Sequence, residues 1–268
     1  MVECLEHGTV RYVQDPHVGR HEFITHAFCT RKGGASRGRF ARLNFSTNEG
    51  DTEEAVRANW DILAQAFRIP FTRFVTVCQI HGDGVLVIDT PYDDRRDPPR
   101  LEYDAIVTNE PDLAIGVKTA DCVPVLLVDI VRRVIGVVHA GWQGTALHIV
   151  AGTVSVMQER FSSATKDIEA VIGPAIGPCC YEVDEVVRAK LQHAGPWNLL
   201  AVESDRCGHW MLDLPGANYL QLVHAGIPPQ NISLTRLCTS CNKDLFFSHR
   251  GEGGRTGRQL SFIMLNAG

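Results

Sequence analysis

Two continuous apolar runs at the centre of the chain, VPVLLVD and VIGVVHA, are separated only by IVRR. Runs that are apolar at every position belong to strands buried on both faces, and their closeness in sequence predicts an antiparallel hairpin. IVRR lacks a strong Gly or Asn turn signal. A turn at Val131 and Arg132 sets Ile130 opposite Arg133, and continuing that register puts Cys122 opposite Gly141. Cys122 and His139 then share one end of the hairpin, where paired residues lie about 5 Å apart. FVTVCQIHG, residues 74–82, predicts a further buried strand that ends at His81. Helical spacing appears in DTEEAVRANWDILAQAF (51–67) at Val56, Trp60, Leu63 and Phe67, with Asp51 or Thr52 as the cap and Glu54 as its reciprocal partner. After the hairpin, Leu147, Val150, Val154, Met157 and Phe161 space out an amphipathic helix, so His139 stands on a strand-to-helix turn. EVDEVVRAKL predicts another helix, with acidic residues at its amino end. The charged, proline-rich stretch DTPYDDRRDPPR (89–100) predicts an exposed loop.

Composition narrows the functional classes. A chain of 268 residues, 44% of them hydrophobic, can bury a full core. Lys and Arg number 26 against 31 Asp and Glu, a net charge of -5 that provides no basic footprint for a nucleic-acid backbone. No apolar run approaches the roughly 18 residues of a membrane helix, and MVECLEHGTV lacks the layout of a signal peptide. The expectation is a cytoplasmic protein, a monomer or weak homodimer, with small-molecule partners. Its nine cysteines, an odd number, suggest reduced thiols, some of them metal ligands.

His81, Cys122 and His139 each stand where an apolar run meets a turn. Taken singly, each reads as an ordinary core residue, and their spacing matches no local zinc-finger pattern. Two imidazoles and a thiolate would leave the fourth tetrahedral position of Zn²⁺ open, as a catalytic site requires. Basic, glycine-rich loops supply candidate anion contacts: TRKGGASRGRFAR carries Arg31, Lys32, Arg37, Arg39 and Arg42, and SHRGEGGRTGR carries Arg250, Arg255 and Arg258. On composition alone such loops are more often simply solvated. In C-T-S-C, Cys238 and Cys241 lack the second pair that a zinc site normally adds, which favours a structural or incidental role. The adjacent Cys179 and Cys180 would point to opposite faces of an extended segment, so at most one should face any given pocket. The Gly- and Pro-rich GPAIGPCC segment reads as a rigid turn that forms a wall of the site.

QIHG, DAIVTNEPDLAIGVKTADCVPVLLVD, VIGVVHAGWQG, AVIGPAIGPCCYEV and CTSCNKDLFFSHRGEGGRTGR occur in this order, preceded by FCTRKGGASRGRFARLNFS. Over nearly the whole chain this series resembles the YfiH family, also called the multicopper polyphenol oxidase or laccase-domain family. The resemblance implies an α+β fold over 1–268 as a single domain, with mixed β-sheets packed between helices. It implies zinc bound by His81, Cys122 and His139 as the catalytic centre, with copper as the alternative metal. It further implies purine nucleoside phosphorylase activity on adenosine, inosine, guanosine or methylthioadenosine, with adenosine deaminase activity besides. Purine nucleosides and phosphate are then the expected partners, and Arg31, Asn44, Lys118, Gln143, Arg250 and Arg255 the expected substrate contacts. In one departure the family usually has Arg after HAGW, where this chain has Gln143; Lys118 stands where Gln is common. Two other chemistries compete. A copper phenol oxidase is disfavoured, because none of the eleven histidines is followed by another two positions later. A cysteine hydrolase with Cys122 as nucleophile and His139 as base would suit peptidoglycan editing, but a metal on Cys122 would exclude it.

Overall fold

The structure, a computed structural model, describes residues 3–91, 101–192 and 195–267. Of the loop expected at 89–100, residues 92–100 lie outside the described residues. Two six-stranded mixed sheets dominate. The first runs, in spatial order, Glu3–His7, Val10–Gln14, Ile24–Cys29, Gln259–Leu265, Ala114–Thr119 and Phe74–Thr76, and its last pair is parallel. The second runs Ile232–Leu234, Ile168–Ile172, Val123–Asp129, Val134–Ala140, Ala105–Thr108 and Val85–Ile88, with a parallel pair at each edge and antiparallel pairs between. A small third sheet joins Glu182–Asp184, His209–Leu212 and Ala201–Glu203.

Strand alternation explains the layering. On Val123–Asp129, Leu126 and Val128 face the first sheet and pack with Phe28, Ile115, Val117 and Ile263. Val123, Val125 and Leu127 face the other way, onto Val150, Val154 and Met157 of helix Ile149–Phe161 and Leu222 of helix Leu214–His224. The outer face of the first sheet is covered by helix Glu53–Phe67 through Leu63, against Ala27, Leu260 and Phe262. The order of layers is helix, sheet, sheet, helix, the α+β arrangement with mixed sheets between helices. Central strands buried on both faces have no polar side to show, which is why their sequences are continuous apolar runs.

Four local expectations change, and in EVDEVVRAKL only Glu185–Leu191 is helical, because Glu182–Asp184 pairs as a strand. Thr52 caps the helix by accepting from the Ala55 N–H at 3.2 Å, so the reciprocal capping position belongs to Ala55 and not to Glu54. The helix expected through Leu147 is two helices, Trp142–Ala146 and Ile149–Phe161, broken at His148 with φ 60°. Leu147 therefore points to solvent with 52% exposure, while Val150, Val154 and Met157 are buried as their spacing requires. The strand expected over 74–82 covers only Phe74–Thr76, and the chain reaches His81 as an irregular turn.

Candidate functional site

The central hairpin pairs Val123 with Ala140 and Asp129 with Val134, the register that extends to Cys122 opposite Gly141. Its turn signal is Asp129, whose Oδ1 accepts the N–H groups of Val131 (2.9 Å) and Arg132 (2.8 Å). At the far end His139 pairs with Pro124, a residue with no N–H to offer the ladder, and Cys122 immediately precedes its strand. A Cβ built on Gly141 would lie 2.8 Å from Cδ2 of His81 and 3.1 Å from Cys122 Sγ. Glycine is thus demanded there by the close approach of two candidate ligand side chains.

His81 arrives from the other direction, in a left-handed turn at φ 62°. One carboxylate holds that turn. Asp104 accepts the backbone N–H groups of Ile80 (3.2 Å), His81 (3.0 Å) and Gly82 (2.7 Å). Its Oδ1 also lies 2.7 Å from Nδ1 of His139, and its carbonyl accepts the His139 N–H at 2.7 Å. With Nδ1 facing a carboxylate, the neutral form of His139 would carry its proton on Nδ1 and its lone pair on Nε2, the arrangement that outer partners commonly impose on metal-binding histidines. Asp104 was missed in the sequence although it sits in the quoted DAIV motif, where it directly precedes strand Ala105–Thr108.

The donor atoms of His81, Cys122 and His139 lie within 4.8 Å of one another. Cys122 Sγ is 3.8 Å from His81 Nε2, and the two imidazole rings meet edge to face at 4.8 Å. Burial alone would push the Cys122 thiol up, but the charge of His139 and hydrogen bonds from both histidines bring its pKa down to about 6. Burial works against a charged His139 as well, yet the Cys122 thiolate and Asp104 raise it to about 9. The surroundings therefore favour an ionised sulfur, the form a metal requires. Two imidazoles, a thiolate and a fixing carboxylate are a donor set that can hold a divalent transition metal.

The three donors line a cavity of about 850 Å³, large enough for a nucleoside. Lys118, Gln143 and Arg250 of the expected contacts line it too. Arg31, Asn44 and Arg255, also expected to contact substrate, do not. Arg31 spends its guanidinium on the carbonyls of Ala41 and Lys243 and on Glu252, and it lies over the Phe247 ring. Asn44 is fully buried and joins Ser46, Asp51 and the Arg258 N–H. Arg255 donates through Nε to the Glu49 carbonyl. These residues make contacts within the loops that adjoin the cavity, Arg255 through Glu49, which lines it. Arg258 of the same basic loop lines the cavity as well, and Gln79, Trp142, Tyr181 and His249 are further cavity residues that sequence reasoning did not select. As expected, the GPAIGPCC segment is a wall, contributing Ile176 and leading into Tyr181.

Asp121 ties the surrounding segments together from a left-handed conformation, φ 93°. Its carboxylate accepts the Thr239 hydroxyl and the Arg250 N–H, each at 2.6 Å, and its carbonyl accepts the Ile176 N–H at 2.9 Å. Arg250 in turn donates to the Glu182 carbonyl at 2.6 Å, with its guanidinium 5.3 Å from the centre of the Tyr181 ring.

The sequence pattern of the family described as "Multi-copper polyphenol oxidoreductase laccase" matches residues 25–266. Over 241 residues the chain is 39% identical to "Purine nucleoside phosphorylase YlmD" of Geobacillus stearothermophilus, a match covering 87% of each protein. It is 35% identical over 248 residues to "Purine nucleoside phosphorylase" of Bacteroides thetaiotaomicron, covering 91% of this chain and 92% of that one. Among solved structures, Bacillus licheniformis hypothetical protein YfiH aligns with a TM-score of 0.90 at 35% identity, over 99% of both chains. YlmD from Geobacillus stearothermophilus aligns with a TM-score of 0.88 at 34% identity, over 98% of both.

Proposed function

The chain belongs to the multi-copper polyphenol oxidoreductase laccase family, and from this premise we propose that it is a zinc-dependent purine nucleoside phosphorylase that also deaminates adenosine. What carries the reading is the convergence of His81, Cys122 and His139 on one wall of a cavity that Lys118, Arg250 and Arg258 also line. The names of the relatives favour phosphorolysis over phenol oxidation.

In phosphorolysis an oxygen of inorganic phosphate bonds to the anomeric carbon of the sugar as the bond from that carbon to the purine nitrogen breaks. The electron pair of the broken bond leaves with the base, which takes up a proton. Positive charge builds on the sugar, so the site must hold an anion close to it in the right orientation. Arg250 is the proposed phosphate contact: its backbone and one guanidinium nitrogen are fixed by Asp121 and the Glu182 carbonyl, which presets the fork. Lys118 is a second candidate cation, and Gln79 pins its backbone from both sides at 2.7 and 2.8 Å. Arg258 is already paired with Glu49 at 2.8 Å, which makes it a support for the wall. Tyr181 and Trp142 are the aromatic lining residues proposed to meet a purine.

Held by His81, Cys122 and His139, a zinc ion would keep a fourth tetrahedral position open and supply Lewis acidity there. Asp104 keeps His139 in the ligating tautomer and holds His81 in its turn. In deamination water replaces the purine 6-amino group, which departs as ammonia, and the same aromatic residues would orient the base. Among the described residues no helix is long and apolar enough to cross a membrane.

The test combines elemental analysis of the purified protein with a nucleoside panel assayed with and without phosphate. The reading expects zinc, and base release that depends on phosphate and yields sugar 1-phosphate. Base release at the same rate without phosphate would make the protein a hydrolase. Copper with phenol turnover would make it an oxidase, and metal-free protein with thiol-dependent hydrolysis would leave Cys122 as a nucleophile.

A further inference from the structure

Outside the cavity, the cysteines of two distant segments meet. The sulfurs of Cys179, Cys180, Cys238 and Cys241 all lie within 4.8 Å of one another, with Cys241 Sγ 3.4 Å from Cys180 and 3.5 Å from Cys179. Adjacent cysteines of an extended chain would diverge, as expected from the sequence. These two converge because the chain turns: the N–H groups of Cys180 and Tyr181 both donate to the Gly177 carbonyl, at 3.0 and 3.1 Å. The C-T-S-C segment is a turn of the same kind, with the Asn242 N–H on the Cys238 carbonyl at 3.1 Å. The two turns are joined by a parallel bridge between Ala175 and Cys238, and by the Gly177 N–H donating to Cys238 Sγ at 3.3 Å.

We propose that Cys179, Cys180, Cys238 and Cys241 form a second metal site, an all-thiolate Zn²⁺ site with a structural role. Hydrophobic packing does not account for the cluster, because Cys179 and Cys241 are exposed. Tetrahedral Zn²⁺ with four thiolates at about 2.3 Å separates its sulfurs by about 3.8 Å. The closest contacts, 3.4 and 3.5 Å, fall a few tenths of an ångström short of that value, so small side-chain rotations would bring the sulfurs to it. Four soft sulfur donors select zinc over hard cations, and four protein ligands leave no position for substrate. The pair missing from C-T-S-C in the sequence is Cys179-Cys180, some sixty residues upstream.

The clip has a defined consequence for the cavity. Tyr181, which lines the cavity, follows Cys180 directly. Thr239, between the two cysteines of C-T-S-C, donates to Asp121, the neighbour of Cys122. The second site thus fixes two walls of the first and acts as a positioning element.

This inference does not depend on the proposed activity, and its test separates the two sites. Elemental analysis of the reduced, purified full chain should find about two zinc ions, falling to about one in Cys122→Ala and to none in Cys122→Ala combined with Cys241→Ser. Cys241→His in the Cys122→Ala background should keep its zinc, since three cysteines and a histidine are also a zinc set; this distinguishes ligand loss from misfolding. A second measurement uses unmutated protein. Alkylation followed by mass spectrometry should modify the exposed Cys4 and Cys207 quickly, and Cys179 and Cys241 only after a strong chelator is added. Zinc content unchanged by Cys241→Ser would overturn the proposal. So would Cys179 and Cys241 alkylating as fast as Cys4, or a disulfide among the four in protein that has not been exposed to oxidant.

Discussion

Asp104 and His139 are joined twice, carboxylate to Nδ1 at 2.7 Å and carbonyl to backbone N–H at 2.7 Å. The same carboxylate accepts the His81 N–H at 3.0 Å, so one residue sets two of the three candidate ligands. Burial would raise the Asp104 pKa, but its bonds to His139 and to the Gly82 and His81 N–H groups outweigh that and lower it. Asp104→Asn keeps the shape and removes the charge. Zinc affinity should fall 10- to 100-fold, the usual cost of losing a carboxylate behind a metal-binding histidine. Competition titration against a chromogenic chelator measures it, and an unchanged affinity would remove Asp104 from the metal site.

Gly141→Ala tests the close approach at the mouth of the hairpin. The added methyl carbon meets the His81 ring at 2.8 Å and Cys122 Sγ at 3.1 Å, and both can move only by abandoning their shared position. His81 is exposed and free to swing outward, which keeps the cost to the fold small. The expected result is a thermal midpoint close to the parent's together with a loss of metal from the His81, Cys122 and His139 site. Retention of that metal at the parental level would show that the three donors do not converge as tightly as described.

How much of this was legible in the sequence depended on what each element needed from its surroundings. The central hairpin was legible to its register, because strands buried on both faces must be apolar throughout and Asp129 closes the turn locally. The three candidate ligands each end an apolar run, but that position alone reads as ordinary core, and only the resemblance to the family singled them out. The turn at His81 was not: it exists because Asp104, twenty-three residues away, gathers three consecutive N–H groups. The break at His148 carries neither Gly nor Pro, so nothing local announced that Leu147 would leave the core. Arg31 and Arg250 sit in loops of the same composition. Only tertiary partners, Glu252 for one and Asp121 with Glu182 for the other, decide which of them turns inward to the scaffold and which lines the cavity.

His26 predicts an acid sensitivity that involves none of the candidate metal ligands. Fully buried, its ring takes the Asp15 N–H on Nε2 at 3.1 Å, and burial lowers its pKa from 6.5 to about 4. The folded state therefore resists a proton that the unfolded chain accepts below 6.5. The stabilising contribution is complete above that value and is lost as the pH falls from 6.5 toward 4. Roughly 2 kcal/mol should disappear between about pH 7 and pH 5 on this account. Denaturant unfolding at the two pH values measures the loss. His26→Gln, which keeps an acceptor for Asp15, should be less stable at neutral pH and show a flatter slope. An equal slope in both proteins would assign the acid sensitivity elsewhere.

The last prediction concerns Gln143 and Lys118, two polar residues that line the cavity. Gln143 is exposed at the cavity rim on the short helix Trp142–Ala146, four residues after His139. An arginine there would add a charge-assisted hydrogen bond to a bound anion, worth roughly 1.5 to 3 kcal/mol, or about tenfold or more in affinity. Gln143→Arg should therefore lower the apparent KM for phosphate and leave the zinc content unchanged. Lys118 opposes this if it already supplies the charge. It lines the same cavity, and burial lowers its pKa, so a second cation nearby would weaken its hold on a proton further. In that case Gln143→Arg alone gains little, Lys118→Gln alone raises KM, and the double variant recovers the loss with the two residues exchanged. Phosphate KM for the three variants, read beside kcat for a single nucleoside, separates the two arrangements. A KM unaltered in all three would take both residues out of the anion site and leave Arg250 as its principal cation.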